Sequence, residues 1–256
     1  MEESMKRWEG KVAVVTGASQ GIGAAVAVTL AKHGMIVCAL AKRKDKIESL
    51  RVGLIKIKGQ LNAVECDIAN EQSVQTAFTW VEKTFGGVDL LVNNGGVYTK
   101  ALFTDENNSR ELKNIIDNEI LGNILCSRQA IKSMKTRDVN GHIVNINSIF
   151  GHKVNQAVPG NKPMNSLYPP AKHAISAVTE CIRQELLYLQ TQIKITSISP
   201  GLCEQDIITS CTDNELVGLM PKMKPDDVAN SVIYCITLPD TINVHELVLK
   251  PIGEFV

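Results

Sequence analysis

Aromatic side chains, net charge and long apolar runs are all scarce in this chain of 256 residues. Aromatic residues make up 4% of it, and 27 Lys+Arg balance 27 Asp+Glu, so the formal net charge is zero. Nucleic-acid-binding proteins usually carry a basic excess, so this balance gives no support to a nucleic-acid partner. The longest apolar candidates, such as residues 24–31 with their Thr29, fall well short of the roughly 20 residues that a membrane span needs. We therefore expect no membrane span.

Cysteine pairs at metal-binding spacing are missing as well. The seven cysteines are scattered without a Cys-x-x-Cys pair, and we predict no metal site. Cys38, Cys126 and Cys181 lie in apolar stretches, where cysteine behaves as a small hydrophobic residue. Residues 1–7 are charged and contain no apolar signal core. These features predict reduced thiols in a cytoplasmic protein.

Short apolar segments alternate with helical patterns along the chain. Strands are predicted at residues 11–16, 35–41, 88–93, 142–147, 193–199 and 244–250, with a further strand that ends at residue 67. Helices are predicted at about residues 21–33, 45–54, 71–85, 112–135, 168–189 and 225–237. This alternation is typical of βαβ crossover units. It predicts an α/β fold, a single-domain Rossmann-type doubly wound parallel sheet with helices on both faces, that spans residues 1–256.

Three glycines lie where the first predicted strand passes into the first predicted helix. Gly17, Gly21 and Gly23 permit a tight turn, and the helix that follows offers free N–H groups and a partial positive charge at its start. Such a turn is typical of a site for the pyrophosphate of a dinucleotide. The spacing differs from the common Gly-x-Gly-x-x-Gly, so a strand–helix turn that only needs flexible residues is the alternative.

The end of the second predicted strand indicates which dinucleotide is bound. An acidic side chain at that point would hydrogen-bond the ribose 2′-hydroxyl of NAD and would repel a 2′-phosphate. This chain has Lys42 and Arg43 there and no acid. The pair favours NADP(H) over NAD(H), the alternative being a solvated basic loop that also includes Lys44 and Lys46.

Tyr168 is the one tyrosine with a lysine four residues further on, at Lys172. On a helix these two side chains share one face. A cation beside the phenol lowers a pKa that is ordinarily about 10, which makes tyrosine usable as a general acid or base. Ser148 follows a predicted strand, at the edge where open α/β sheets bind ligands, so its hydroxyl could donate to a substrate oxygen. Taken alone, Ser148 is equally typical of a loop or capping residue.

These features occur together in the order and spacing of one enzyme family. The chain resembles the short-chain dehydrogenase/reductases over essentially its whole length. The matching segments are Thr16-Gly17-Ala18-Ser19-Gln20-Gly21-Ile22-Gly23, Cys66-Asp67-Ile68, Asn93-Asn94-Gly95-Gly96, Ser148, Tyr168-x-x-x-Lys172 and Ser199-Pro200-Gly201. Within that family, residues 141–148, 151–152, 172–174, 183–186 and 223–229 look similar to the insect farnesol dehydrogenases and their vertebrate dehydrogenase/reductase relatives.

The resemblance implies a role for each matching residue. Ser148 would hydrogen-bond the substrate oxygen, Tyr168 would exchange its proton, and Lys172 would hold the nicotinamide ribose and lower the pKa of Tyr168. Asp67 and Ile68 would line the adenine pocket. The full set of residues implied to hold NADP(H) is Gly17, Ser19, Gln20, Gly21, Ile22, Gly23, Lys42, Arg43, Asp67, Ile68, Asn94, Gly95, Tyr168, Lys172, Pro200, Gly201 and Leu202.

Several positions depart from the family pattern, and Glu119 departs most. Family members usually have an asparagine there, which holds a water near the active-site lysine, whereas Asn118 is one residue away and faces about 100° to one side on a helix. We expect the Glu119 carboxylate to raise the pKa of Lys172 and to give a slowed or pH-shifted enzyme. Gln20 stands where many NADP enzymes have a basic residue, and Gln205 stands where a threonine commonly meets the carboxamide.

Two apolar segments, residues 149–167 and 202–223, are predicted to form lids over the substrate. They suit a hydrophobic alcohol or carbonyl, such as an isoprenoid alcohol like farnesol or a steroid. The alternative is that half of their apolar side chains are core or subunit contacts, and His152 is either a substrate contact or structural. The apolar residues in question are Ile149, Phe150, Val154, Val158, Met164, Leu167, Leu202, Ile207, Ile208, Leu216, Leu219 and Met220.

Two functions from different classes fit these observations. The first is an NADP(H)-dependent oxidoreductase that transfers hydride between nicotinamide and a hydrophobic alcohol or carbonyl, and the intact Ser148, Tyr168 and Lys172 favour it. The second is a nucleotide-binding regulatory protein with weak or no catalysis, which Glu119 favours. The resemblance also implies a homodimer or homotetramer built on the two long helices.

Overall fold

The computed structural model describes residues 2–54, 56–156, 159–160, 162–163, 166–204 and 219–254. The strands in this part of the chain form one sheet in the order β3-β2-β1-β4-β5-β6-β7, and every neighbouring pair is parallel. Their bounds are β1 (Val12–Thr16), β2 (Ile36–Ala41), β3 (Gln60–Glu65), β4 (Leu90–Asn93), β5 (His142–Ile146), β6 (Lys194–Pro200) and β7 (Glu246–Leu249). The predicted doubly wound parallel sheet is confirmed.

Helices cover both faces of the sheet because alternate strand residues point to opposite sides. Ala13 and Val15 pack with the helices at residues 21–32 and 225–237 on one face. Val12 and Val14 pack with the helices at residues 71–85, 122–136 and 168–188 on the other. Among the described helices, none combines the length and the hydropathy that a membrane crossing requires. The helical segments are α1 (Glu2–Met5), α2 (Gly21–Lys32), α3 (Lys44–Val52), α4 (Glu71–Phe85), α5 (Ser109–Ile115), a π-helical turn (Ile116–Leu121), α6 (Gly122–Thr136), α7 (Tyr168–Tyr188) and α8 (Pro225–Thr237), with 3₁₀ turns at Lys6–Trp8 and Ile149–Gly151.

The order of the strands opens a crevice at one edge of the sheet. The chain runs from β1 outward through β2 to β3 and then returns to place β4 on the other side of β1. At such a reversal the loops after the two central strands diverge, and open α/β sheets bind ligands in the gap between them. The glycine turn follows β1 and Asn94 follows β4, so both lie at this crevice.

Local sequence signals fix the ends of the helices near the crevice. The side chain of Asn70 accepts a hydrogen bond from the Ser73 N–H and begins α4, and Gly86 ends it with a φ of 86° that suits glycine. Helix α7 begins at Tyr168, and Pro169 and Pro170 occupy its first turn, where a missing N–H donor costs little.

The predicted helix over residues 112–135 is longer and less regular than expected. It begins at Ser109, and its Ile116–Leu121 turn is π-helical. A π turn holds one residue more than an α turn, and such turns occur mostly at functional sites. Both Asn118 and Glu119 are buried here, but Asn118 donates to the Asn114 carbonyl at 2.9 Å and stays within its own helix.

Candidate active site

The glycine turn after β1 is tight and packs against the chain that follows β4. Gly17 has a φ of +64° and Gly21 a φ of +57°, both of which favour glycine. A Cβ at Gly17 would lie 2.7 Å from the Gly95 Cα, and a Cβ at Gly23 would lie 2.5 Å from the Gly17 oxygen. Larger residues at these positions would therefore force the turn away from Asn94 and open the crevice.

Hydrogen bonds join the two sides of the crevice. The Thr16 hydroxyl accepts from the N–H groups of Asn94 and Gly95, at 3.0 and 2.9 Å. In return the Asn94 amide donates to the carbonyls of Thr16 and Gly17, at 3.2 and 3.3 Å. The Ile68 side chain fills the space that a methyl group at Gly95 would take. Thr16, Ile68 and Asn94 thus form a fixed floor beneath the turn.

The start of α2 has the features of an anion site. Its N-cap residue, Gln20, makes no side-chain capping bond, so the first N–H groups of the helix are left for other acceptors. The Arg43 guanidinium donates to the Gln20 Oε1 at 2.7 Å and lies 3.5 Å from the Ser19 Oγ. An exposed cation therefore stands beside the glycine turn, which fits a phosphate group there.

The predicted basic pair separates into two different environments. Lys42 forms an ion pair with Asp67 at 2.9 Å, while Arg43 reaches back to the glycine turn. Asp67 also accepts the N–H of Ala69 at 3.0 Å, which holds its carboxylate in place beyond β3. Arg43 is thus the member of the pair that lies beside the glycine turn.

Ser148, Tyr168 and Lys172 come together at the end of β5. Ser148 precedes the 3₁₀ turn, and its Oγ accepts the Phe150 N–H at 3.2 Å. The Lys172 Nζ lies 5.3 Å from the centre of the Tyr168 ring, one helical turn further along α7. Burial raises the pKa of the Tyr168 phenol, and side-chain hydrogen bonds from Ser148 and Lys172 oppose that rise. These are the three residues that the sequence predicted to act together.

Glu119 joins this group through a buried ion pair. Its Oε2 lies 2.9 Å from the Lys172 Nζ, and its Oε1 accepts the Val97 N–H at 2.7 Å. Gly96 leaves room for the carboxylate, because a Cβ there would clash with the Glu119 Oε1. Lys172 also donates to the Ile146 carbonyl at 3.4 Å. The π-helical turn thus delivers an acid directly to the predicted active-site lysine.

The pKa values of Lys172 and Tyr168 are both raised in this arrangement, but for different reasons. Burial lowers the pKa of Lys172, but Glu119 and Tyr168 raise it, and the net shift is upward, as expected. Burial raises the pKa of Tyr168, Lys172 lowers it and Glu119 raises it, and the net shift is also upward. Lys172 thus lowers the pKa of Tyr168, as the resemblance implies, but burial and Glu119 together outweigh the cation and the net shift is upward.

The segment after β6 is held by a carboxylate that the sequence did not single out. Gly201 donates its N–H to the Leu249 carbonyl at 2.7 Å, and Leu202 donates its N–H to the Glu254 Oε2 at 3.3 Å. The Glu254 carboxylate packs on Gly201 so closely that no Cβ fits there, and burial raises its pKa. Pro200 ends β6. Leu202 and Glu254 are 52 residues apart in the sequence, so only the fold could reveal this contact.

The described lid residues divide between core and surface. Ile149, Leu167 and Met220 are buried, whereas Val154 and Leu219 are exposed by 64% and 83%. Part of the set is therefore core, as the alternative held. Gln205 and the predicted lid residues Val158, Met164, Ile207, Ile208 and Leu216 lie outside the described residues.

Aromatic rings surround the Tyr168 ring on two sides. The ring centres of Tyr98 and Phe150 lie 5.5 and 6.2 Å from that of Tyr168. His152, by contrast, turns away to β6 and β7, where its Nε2 lies 2.8 Å from the Glu246 Oε1 and 3.1 Å from the Ser199 Oγ. The approach to Tyr168 is therefore flanked by apolar and aromatic surface, and His152 has a structural set of partners.

Comparison with known proteins gives a consistent set of similarities. The profile of the family described as short chain dehydrogenase matches residues 11–216. The chain is 44% identical to the farnesol dehydrogenase of Aedes aegypti over 251 residues, 98% of this chain and 99% of that protein. It is 37% identical to dehydrogenase/reductase SDR family member 11 of Gallus gallus over 257 residues, 96% of this chain and 98% of that protein. The X-ray structure of the alcohol dehydrogenase of Thermococcus sibiricus, complexed with 5-hydroxy-NADP, has a TM-score of 0.79 and 25% identity over 96% of this chain and 98% of that one.

Proposed function

The chain belongs to the short-chain dehydrogenase/reductase family, and from that premise we propose that it is an NADP(H)-dependent oxidoreductase acting on a hydrophobic alcohol or carbonyl. The observation that carries this proposal is the grouping of Ser148, Tyr168 and Lys172 at the crevice edge, with the ammonium 5.3 Å from the phenol ring. One hydroxyl, one phenol and one cation at the ligand-binding edge of the sheet supply what proton exchange with an alcohol oxygen requires.

The cofactor would lie along the crevice, from the glycine turn to the end of β6. The glycines and the uncapped start of α2 would hold the pyrophosphate, and Arg43 beside Ser19 and Gln20 would pair with a 2′-phosphate. Asp67, Ile68, Asn94 and Gly95 would line the adenine and ribose side, and Pro200, Gly201 and Leu202 the nicotinamide side. Bound NADP⁺ would accept a hydride from the alcohol carbon, and bound NADPH would donate one to the carbonyl carbon.

The protein's own part in the reaction is to move a proton and to stabilise charge on oxygen. Ser148 accepts the Phe150 N–H, and its own hydrogen, which acts on the Tyr168 phenol, would turn to the substrate oxygen when substrate binds. Tyr168 would take the alcohol proton in oxidation and return it to the carbonyl oxygen in reduction. Lys172 stays protonated because its pKa is raised, and it stabilises the Tyr168 phenolate.

The substrate class is supported by the surface around Tyr168. Tyr98 and Phe150 flank its ring, and Leu167 and Val97 pack in the same apolar cluster. Such a surface suits an isoprenoid alcohol such as farnesol, or a steroid or other ketone. We propose that residues 149–167 and 202–223 cover this substrate, within a single domain that spans residues 1–256. The farnesol dehydrogenase of Aedes aegypti, at 44% identity, supports the isoprenoid reading.

A second candidate function is a nucleotide-binding regulatory protein with weak or no catalysis. The ion pair between Glu119 and Lys172 favours it, because a carboxylate at 2.9 Å competes with cofactor and phenol for the lysine charge. The same pair, through Glu119, raises the pKa of Tyr168 and so disfavours the phenolate that oxidation needs. Under this alternative the glycine turn and Arg43 would still bind the nucleotide.

Nicotinamide absorbance separates the two candidates. Farnesol, a steroid alcohol and a panel of dicarbonyls are each assayed with NADP(H) and with NAD(H). We expect turnover of at least one apolar substrate, with a preference for NADP(H), and a loss of about 100-fold or more in Tyr168→Phe. Tyr188→Phe, an exposed tyrosine on the same helix, is the matched control and should keep full activity. Full activity in Tyr168→Phe would refute the mechanism, and tight NADPH binding without any turnover would establish the regulatory protein.

We also propose that the protein acts in the cytoplasm as a homodimer or homotetramer. The supporting surface is a set of exposed apolar side chains on the two long helices, Ile116, Leu121 and Ile124 on one and Leu187 and Tyr188 on the other. Light scattering on the purified protein tests the assembly: a mass of two or four chains supports it, and a mass of one chain contradicts it. Imaging of the tagged protein tests the compartment.

A further inference from the structure

Five buried polar side chains form one hydrogen-bonded cluster between the sheet and helices α6 and α7. The asparagine cluster consists of Asn93, Asn123, Ser127, Asn145 and Thr179, each of them at most 8% exposed. Asn93 and Asn145 are cross-strand partners in β4 and β5, and their side chains lie on the same face of the sheet. A polar group in a core is costly unless it is hydrogen-bonded. Within the described part of the chain, the Asn93 Oδ1 is the one side-chain polar atom of the cluster without a partner.

Asn145 stands at the centre of this cluster and uses both ends of its amide. Its Oδ1 accepts from the Asn93 Nδ2 at 3.0 Å and from the Asn123 Nδ2 at 3.2 Å. Its Nδ2 donates to the Thr179 Oγ1 at 2.8 Å, and that hydroxyl donates onward to the Ile175 carbonyl. One side chain of β5 therefore bonds to α6 through its oxygen and to α7 through its nitrogen.

Two of the three bonds of Asn145 lead to helical segments that carry an active-site side chain. Asn123 lies four residues after Glu119, at the junction of the π-helical turn with α6. Thr179 lies seven residues after Lys172, about two turns along α7 and so on the same face. Asn145 itself lies three residues before Ser148 on the same strand path. The asparagine cluster thus links β5, α6 and α7, the elements that position Ser148, Glu119 and Lys172.

We propose that Asn145 is a positioning residue that sets where Lys172 stands between Glu119 and Tyr168. This inference rests on the proposed function of the same site. Apolar packing alone is non-directional and lets a helix slide or turn by small amounts. Hydrogen bonds are directional and short, so an amide that bonds both helices fixes their separation. Lys172 and Glu119 face each other across that separation, at 2.9 Å.

Another contact holds α7 beside the end of β5 and involves neither Asn145 nor Lys172. The Asn147 Nδ2 donates to the Ser176 Oγ at 2.9 Å. The loss of one bond of Asn145 should therefore displace Lys172 without detaching the helix. We expect an altered active site in a folded protein.

The test compares two identical substitutions of buried threonines. Thr179→Val keeps the shape of the side chain but removes the acceptor of the Asn145 amide. Thr196→Val makes the same change on β6, where the fully buried hydroxyl donates to the Val244 carbonyl at 2.7 Å, and it serves as the control. Thr179→Ser restores the hydroxyl. The rates kcat and KM are measured across pH, together with the thermal midpoint of each variant.

We expect Thr179→Val to lower kcat about 10-fold with KM little changed, since a misplacement of about 1 Å can cost up to about 100-fold. The pH profile of alcohol oxidation should move to higher pH, because Lys172 then stabilises the phenolate less. Thr179→Ser should restore both properties. Thr196→Val should lose thermal stability only. If Thr179→Val does not fold, Asn123→Ala removes the bond to α6 instead, and it should also change the pH profile.

A measurement that needs no turnover tests this proposal independently of the proposed function. The absorbance of tyrosinate is titrated in each background, and the signal of Tyr168 is obtained by subtracting the matching Tyr168→Phe protein. Within the residues that the structure describes, the titratable groups that face Tyr168 are Lys172, Glu119 and Tyr98. We expect Tyr168 to titrate at higher pH in Thr179→Val than in wild type. If wild type turns over no substrate but Tyr168 still titrates at higher pH in Thr179→Val, the proposed oxidoreductase function is contradicted and the positioning role of Asn145 is supported. Unchanged titration and unchanged kcat in Thr179→Val, or equal shifts in Thr196→Val, would overturn the role of Asn145.

Discussion

The carboxylate of Glu119 lies 2.9 Å from the ammonium of Lys172, and both side chains are almost fully buried. Salt and water therefore screen this pair far less than they would on the surface. Lys172 lowers the pKa of Tyr168 while Glu119 raises it, so one residue of the pair supports the phenolate and the other opposes it. Burial and Glu119 together outweigh Lys172, so the pKa of Tyr168 lies above its ordinary value and the phenol is protonated at neutral pH.

Replacement of Glu119 by Gln or Asn should speed alcohol oxidation. Without the carboxylate the pKa of Tyr168 falls, and each unit of that fall gives about 10-fold more phenolate on the acid side of the profile. We expect turnover at neutral pH to rise about 10-fold and the acid limb to move to lower pH. The unpaired Lys172 should at the same time cost about 3–5 kcal/mol of unfolding free energy. Rates across pH and denaturant unfolding measure the two effects.

The control for Glu119 is Glu180→Gln, an exposed carboxylate on α7 that pairs with Arg183. It should leave turnover and the pH profile as they are in wild type. Unchanged turnover in both Glu119→Gln and Glu119→Asn would show that the carboxylate has no part in catalysis.

Arg43→Ala should reduce the preference for NADP(H). Its guanidinium stands at the glycine turn, 2.7 Å from the Gln20 Oε1, where it would meet a 2′-phosphate. Hydrogen bonds to charged groups are worth about 1.5–3 kcal/mol, which corresponds to about 10–100-fold in affinity. We expect the KM for NADP⁺ to rise by that factor while the KM for NAD⁺ stays nearly constant. Lys42→Ala is the control, since Lys42 pairs with Asp67, and a larger effect from Lys42 would reverse the assignment.

His142 should make the protein less stable in mild acid. Burial lowers the pKa of this histidine to about 3, and the nearby Lys194 and Arg7 add to the shift. The unfolded chain takes up a proton at about pH 6.5 that the folded chain binds only near pH 3, so the unfolding free energy falls as pH falls between these values. The slope from this one residue is about 1.4 kcal/mol per pH unit.

Denaturant unfolding at several pH values between 4 and 7 measures this slope. His142→Asn should reduce the slope by the amount that corresponds to about one proton taken up on unfolding. His245→Asn changes an exposed histidine and should keep the wild-type slope. Identical slopes in wild type and His142→Asn would show that His142 does not govern acid stability.

Gly201→Ala should disturb the nicotinamide side of the crevice. The added Cβ would meet the Glu254 carboxylate, with the Cδ at 2.9 Å, and would push it from the Leu202 N–H. Overpacking of this kind costs about 1–3 kcal/mol. We expect that loss in unfolding free energy and a weaker binding of NADPH by calorimetry. Gly53→Ala should change neither quantity, because its added Cβ would lie 3.6 Å from the Leu50 carbonyl oxygen, an ordinary contact. Wild-type NADPH binding by Gly201→Ala would contradict the role of this contact.

Local signals explain why much of the fold could be predicted from the sequence. Helix α4 was expected at residues 71–85 and occupies Glu71–Phe85, because Asn70 and Gly86 fix its ends without help from the rest of the chain. The strand before it was expected to reach residue 67 but ends at Glu65. The apolar run alone does not distinguish Cys66 from the last paired residue, since pairing depends on the neighbouring strand.

The sequence predicted the members of the candidate site and the raised pKa of Lys172, but not the net rise in the pKa of Tyr168. Ser148, Tyr168 and Lys172 share a motif spacing, so the sequence could bring them together. The net rise in the pKa of Tyr168 depends on burial, and burial is set by tertiary packing that no spacing encodes. Asn145 and Thr179 are likewise 34 residues apart and meet only in the folded chain. An asparagine between the apolar residues Val144 and Ile146 of β5 is the local sign that could have pointed to this cluster.

The π-helical turn makes the position of Glu119 a matter of chain length as well as of residue type. Because this turn holds one surplus residue, α5 and α6 are out of phase with each other by about 100°. Deletion of a single residue between 116 and 121 would let an unbroken α-helix form and would rotate α5 relative to α6 by that angle. The acid that pairs with Lys172 could thus be gained or lost in evolution through one codon's insertion or deletion, with every other residue of the site unchanged.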